Sequence, residues 1–114
     1  MAIERILVLD VFDDDLKTLT KKHRRLAPLW DAVDAITRDD RDLLATKYRD
    51  HRLTGPWSGY RELHVAADWL LIYRIEADEL ILVLTRTGTH DTLYSKRTGT
   101  NRIRAYDQAE GRLI

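Results

Sequence analysis

The side chains with the most chemistry to offer are four histidines, His23, His51, His64 and His90, because an imidazole takes up or gives up a proton near neutral pH. His23 sits inside the basic run Lys21, Lys22, Arg24, Arg25 and reads as a solvated surface residue. The other three fall in or beside the strand-rich second half, each close to a glycine-bearing loop or a strand end, where sites are commonly built on a rigid scaffold. Alternation along Tyr60 to Val65 puts Tyr60, Glu62 and His64 on one face and Arg61, Leu63 and Val65 on the other. The second set is the more apolar and is predicted to face the core. That turns His64 away from the helices, into a concave sheet face. Asp68 follows four residues later at a turn, near enough in the chain to orient an imidazole, or simply to stabilise the turn. Arg86 and His90 close the last strand. Trp69 alternates with Leu71 and Tyr73 as packed strand residues do, and Trp57, beside Pro56 and Gly59, suits a loop anchor; stacking on a nucleic-acid base is the competing reading for each.

These groups need a frame. Ile3 to Val11 contains Ile6-Leu7-Val8-Leu9 and is predicted as a buried strand. Asp13, Asp14 and Asp15 suit the positive end of a helix with an apolar stripe of Phe12, Leu16 and Leu19, and the basic cluster after Thr20 suits its carboxyl end. Pro28 fits the first turn of a second helix whose core face is Leu29, Ala32, Val33 and Ile36. Arg38 to Asp42 ends it, and Leu43 and Leu44 tuck the connection back onto the core. Together these form an antiparallel helical hairpin. Gly55, Pro56 and Gly59 then mark a loop, after which Tyr60–Val65, Trp69–Ile75 and Leu80–Arg86 read as three strands of an antiparallel meander. The fold class is therefore α+β: an N-terminal strand, a two-helix hairpin and a meander, with the helices on one sheet face. The domain is expected to span residues 1–94. Residues 95–114, with Lys96, Arg97, Arg102 and Arg104 and only Ile103, Tyr106, Leu113 and Ile114 to dock, are expected to be a peripheral polar tail.

Composition narrows the chemistry. At 114 residues there is room for one domain and one core. With no cysteine, disulfides, thiolate nucleophiles and zinc ribbons are excluded. No apolar run approaches membrane-spanning length, and Met1 to Asp10 lacks the features of a signal peptide, so a cytoplasmic protein with no membrane contact is expected. Nineteen basic residues balance nineteen acidic ones, which argues against nucleic-acid binding by bulk charge; any anion site is local.

Taken together, Asp50-His51-Arg52-Leu53-Thr54-Gly55-Pro56-Trp57-Ser58-Gly59-Tyr60-Arg61-Glu62-Leu63-His64-Val65 resembles the central signature of YafQ-like toxins of the RelE superfamily. Asp68 to Tyr73 and Arg86-Thr87-Gly88-Thr89-His90 continue the resemblance in order and spacing. It is strong from about Tyr48 to Tyr94, weaker back to Phe12, and does not cover the tail. The resemblance implies a ribosome-dependent endoribonuclease that cuts mRNA in the A site and is neutralised by a cognate DinJ- or RelB-like antitoxin. The free toxin is expected to be a monomer. The resemblance carries the family's catalytic positions onto His51, His64, Asp68 and His90, and makes His90 the proton donor to the leaving oxygen. The aromatic that is usually Phe in the family is Tyr94 here, where the ring is kept for stacking on a base. Family members often have Asp where this chain has Glu62.

RNA can be cut without metal or cofactor when its own 2′-hydroxyl attacks the adjacent phosphate, given a base, an acid and a cation. The assignment is His90 as acid, His64 or His51 as base, and Asp68 to fix a tautomer. Arg86 would steady the phosphate, with Arg61 as the weaker candidate because parity turns it inward; Tyr94 and Trp69 are the candidate base contacts. Family toxins tend to be basic, whereas this chain is neutral, which leaves reliance on the arginine-bearing tail open. Two other readings are carried: a non-enzymatic, gyrase-inhibiting toxin of the ParE type, and a small metallohydrolase using His51, His64, Asp68 and His90 as ligands.

Overall fold

The computed structural model describes residues 3–22, 24–95 and 99–114; His23 lies outside them. The run Ile6–Leu9 lies in β1 (Arg5–Leu9), which leads directly into helix α1 (Asp10–Lys21). The helix thus starts before the three aspartates, which places Asp15 three residues after Phe12 and four before Leu19. All three share the buried stripe. Helix α2 (Ala27–Thr37) opens with Pro28 in its first turn and buries Leu29, Ala32, Val33 and Ile36, together with Ala35. Leu43 and Leu44 form part of a short helix, α3 (Arg41–Thr46), whose N-terminus is capped by Asp40 accepting from the Leu43 N–H at 3.2 Å.

The meander consists of β3 (Arg61–Ala66), β4 (Trp69–Glu76) and β5 (Ile81–Gly88), with a two-residue strand β2 (His51–Arg52) along the outer edge of β3. A 3-10 turn, Gly55–Trp57, joins β2 towards β3. Helix α4 (His90–Leu93) follows β5. With a last strand, β6 (Gly111–Leu113), the sheet order is β2-β3-β4-β5-β1-β6, with β1 parallel to β5 and the other pairs antiparallel. A parallel pair needs a long crossover, here the whole of α1 through β4.

Register separates the two faces. Leu63 stands opposite Leu71, and Leu71 opposite Thr87; Arg61 stands opposite Tyr73. Ile36 of α2 lines a cleft with Arg61 and Tyr73, and Leu19 of α1 lines another with Trp69 and Thr87, so both long helices cover this face. Glu62, opposite His51 and Ile72, and Arg86, also opposite Ile72, belong to the other face.

The segment after Tyr94 departs from expectation. It forms α5 (Thr100–Ala105), a 3-10 turn (Tyr106–Gln108) and a sixth strand, β6 (Gly111–Leu113), antiparallel to β1. Residues 99–114 are thus part of the sheet and core rather than a peripheral tail; Lys96, Arg97 and Thr98 lie outside the described residues. Ile103 and Tyr106 are buried, whereas Leu113 and Ile114 stay exposed because β6 docks through its backbone. Its ladder is extended by Asp10 N–H donating to Glu110 O at 3.0 Å and Ile114 N–H to Ile6 O at 2.9 Å. Gly111 is required there: a Cβ would lie 2.4 Å from Val8 O, inside contact distance with backbone that cannot move aside. No described helix is long and apolar enough to cross a membrane.

Candidate active site

β3 supplies Glu62 and His64 to the sheet face opposite α1 and α2, and β2 lays His51 beside Glu62. Two anchors fix that edge. The His64 N–H donates to Tyr48 O at 2.7 Å, and on the opposite face Arg61 pairs with Asp50 at 2.6 Å while the Tyr73 hydroxyl also donates to Asp50. The result is a close cluster. His51 Nε2 lies 3.6 Å and His64 Nε2 3.7 Å from the same Glu62 oxygen, Oε1, and the two rings are 6.3 Å apart. The other oxygen of Glu62, Oε2, accepts the Tyr94 hydroxyl. The Tyr94 ring is 4.9 Å from that of His90, so the third histidine borders the same group. Glu62 is buried while His51 is half exposed, which leaves a charged floor with imidazoles open to solvent.

Burial and the neighbouring Arg49 cation hold His64 below the usual imidazole pKa, with His51 and His90 acting in the same direction and Glu62 opposing them. His64 is therefore neutral at neutral pH. Burial and the carboxylate of Glu62 push the Tyr94 phenol upward, so it remains a donor.

The sequence-derived candidates divide in two. His51, His64, His90 and Tyr94 converge. Asp68 is exposed: held in a left-handed conformation (φ +49°) at the β3–β4 turn, its Oδ1 accepts the backbone N–H of His90 at 3.1 Å. It fastens the start of α4, where an imidazole had been expected as its partner. Arg61 and Trp69 lie on the opposite face, under α1 and α2, whereas Arg86 shares the sheet face of Glu62 but is engaged elsewhere. Arg86 is buried, with Nε and Nη2 on Asp15 at 2.7 and 3.0 Å and Nη1 on the Tyr106 hydroxyl at 3.0 Å, so each of its three nitrogens already has a partner. Asp15 also accepts the Thr87 N–H at 3.0 Å, where β5 continues beyond its last pairing with β1 at Leu84 and the ladder has no strand to offer. Arg61 is committed to Asp50 on the helix-covered face, beside a cleft of about 520 Å³. Trp69 is buried, donates to Thr87 Oγ1 at 2.9 Å and has Arg24 over its ring at 4.9 Å. Trp57 is a packed loop anchor, stacked on Tyr106 and edge-on to Tyr60 and Tyr94.

Glu62 and Arg49 are the site residues that sequence reasoning passed over. Glu62 shared a strand face with His64, a signal that was available; nothing local marked Arg49. A cation could be held by His51, Glu62 and His64, whose ligand atoms lie within 4.8 Å of one another, a different set from the four expected.

Residues 4–95 match the family model described as the bacterial toxin of type II toxin–antitoxin systems, YafQ. The chain belongs to the YafQ family. It is 36% identical over 83 residues to the mRNA interferase toxin YafQ of Escherichia coli strain K12, spanning 73% of this chain and 87% of that one. The toxin in a crystal structure of the E. coli DinJ–YafQ toxin–antitoxin complex superposes with a TM-score of 0.70 at 34% identity, covering 83% of this chain and all of that one. A crystal structure of a metal-bound toxin from Helicobacter pylori gives a TM-score of 0.70 at 37% identity, over 82% of this chain and all of that one. The α+β architecture is thus that of the YafQ structures, and the family match ends before α5 and β6.

Proposed function

We propose that this protein is an endoribonuclease toxin that cuts mRNA on the ribosome and is held in check by a DinJ-like antitoxin. The observation that carries the reading is the gathering of two imidazoles, His51 and His64, at one buried carboxylate, Glu62, which the Tyr94 hydroxyl ties to a ring bordering the third imidazole, His90. Membership of a family whose E. coli member is named an mRNA interferase supports it.

The chemistry balances without another reactant. A neutral imidazole, His51 or His64, takes the 2′-hydroxyl proton as O2′ attacks phosphorus. The P–O5′ bond breaks, and the departing oxygen takes a proton from His90, leaving a 2′,3′-cyclic phosphate and a 5′-hydroxyl. Tyr94 offers its ring to a base. Asp68 acts on His90 through the backbone, as a positioning residue. With Arg86 engaged by Asp15 and Tyr106, charge on the phosphorane is met by N–H donors of the cluster.

The test is toeprinting of a defined mRNA on translating ribosomes with wild type and His90→Ala. Discrete breaks at the A site with wild type, and none with a folded variant that still binds antitoxin, are the expected result. A folded wild type that leaves the mRNA intact would remove this reading and turn attention to DNA supercoiling.

A further inference from the structure

Arg49 touches two histidines of the cluster, His51 and His64, through different atoms. Its backbone is held in the left-handed region (φ +50°), which no β-strand or α-helix residue adopts and which few non-glycine residues tolerate. That conformation lets its carbonyl oxygen lie 3.0 Å from His51 Nδ1 while its Nη2 lies 3.2 Å from His64 Nδ1. The two contacts have opposite polarity. A carbonyl oxygen only accepts, so His51 Nδ1 carries a hydrogen. A guanidinium only donates, so His64 Nδ1 presents its lone pair.

We infer that Arg49 is a positioning residue that sets opposite tautomers on the two histidines, making His51 the general base and His64 a hydrogen-bond donor. A neutral imidazole has one hydrogen. With it at Nδ1, His51 has a bare Nε2, able to take the 2′-hydroxyl proton. With the Nδ1 lone pair engaged, His64 holds its hydrogen at Nε2 and can only donate. Both Nε2 atoms face Glu62 Oε1, at 3.6 and 3.7 Å, beyond hydrogen-bond length but near enough for the carboxylate to attract the His64 N–H and to steady the imidazolium that proton capture makes of His51. Burial of His64 and the Arg49 charge beside it favour the neutral form of that ring, while His51 stands half exposed to solvent. The assignment rests on the nuclease reading for its meaning, though not for its test. It also bears on cations: the cluster presents one bare Nε2 rather than two for as long as Arg49 stays on His64.

The experiment is two-bond ¹H–¹⁵N correlation of the imidazoles in the intact protein, at a pH where both are neutral, for wild type, Arg49→Met and Arg49→Lys. In wild type, the unprotonated nitrogen should be Nε2 in His51 and Nδ1 in His64. The same tautomer in both rings, or the reverse pair, overturns the proposal. In Arg49→Met, His64 should lose its preference while His51, held by a backbone carbonyl, keeps its own; an unchanged His64 overturns the role of Arg49. Ribosomal cleavage gives the second reading. Arg49→Met should lower kcat by at least about tenfold, as loss of an oriented donor does, and Arg49→Lys should recover part of it. A rise in KM with kcat intact would make Arg49 an RNA contact and overturn the positioning role. Correct tautomers in a wild type that cuts no RNA would remove the nuclease reading and leave the tautomer assignment standing.

Discussion

The Tyr94 hydroxyl donates to Glu62 Oε2, leaving Oε1 of the same carboxylate to face His51 and His64. One carboxylate thereby links the aromatic ring beside His90 to the pair of imidazoles, and its direction is set by a hydroxyl that a phenylalanine at this position would lack. Tyr94→Phe keeps the ring and removes that anchor. It should leave ribosome binding unchanged and slow single-turnover cleavage several-fold. The loss of stability in urea should be about 1 kcal/mol, the ordinary cost of one hydrogen bond. Cleavage at the wild-type rate would show that Glu62 needs no support from Tyr94.

Arg86 behaves as a structural cation. Its bidentate bond to Asp15 is buried, and the same carboxylate satisfies the Thr87 N–H beyond the end of the β1–β5 ladder. Asp15→Asn should therefore cost about 3–5 kcal/mol, because it leaves a buried guanidinium without its counter-ion. Equilibrium urea unfolding measures this directly. Were Arg86 held ready for a phosphate and only loosely packed, the same variant would unfold at nearly the wild-type midpoint.

The segment beyond the family match is expected to be indispensable to the fold. Tyr106 stacks on Trp57 and accepts from Arg86, and Asp107 accepts the Tyr60 hydroxyl at 2.7 Å. Removing residues 99–114 should expose Trp57, shift tryptophan emission to the red and promote aggregation through the uncovered β1 edge. The milder Tyr106→Phe keeps the stack but orphans Arg86 Nη1, and should cost about 1–3 kcal/mol. A truncated chain with wild-type emission and midpoint would mean that the segment rests on the domain without supporting it.

Elements carried by apolar periodicity were legible in the sequence: β1, the core face of α2 and all three meander strands follow from spacing alone. Strand parity also put Glu62 and His64 on one face and Arg61 on the other. What was not legible depends on polar partners far apart in the chain. Asp15 looks like one of three helix-start acids until Arg86, 71 residues away, is brought to it. β6 has little apolar content and docks by backbone hydrogen bonds, which leave no mark on hydropathy. Arg49 acts through a left-handed backbone that no residue type announced, and it took the tautomer-setting role expected of Asp68.

Arg112 of β6 grips Asp13 of α1 through two hydrogen bonds, 3.0 and 3.1 Å, and this bond, more than charge alone, holds the Asp13 carboxyl below its ordinary 3.8. A carboxyl with a depressed folded pKa binds fewer protons folded than unfolded between the two values. Its contribution is therefore complete above about pH 3.8 and lost as pH falls through the folded value. The effect is small, since Arg112 is mostly in solvent, so it should appear as local release of β6 rather than as global unfolding. Hydrogen exchange at Ile114 N–H and Asp10 N–H, the two ends of the β6 contact, reads it. Protection in wild type should exceed that in Arg112→Gln near pH 6, and the difference should vanish once Asp13 is protonated. Equal protection in the two proteins near pH 6 would mean that the backbone ladder alone holds β6 in place.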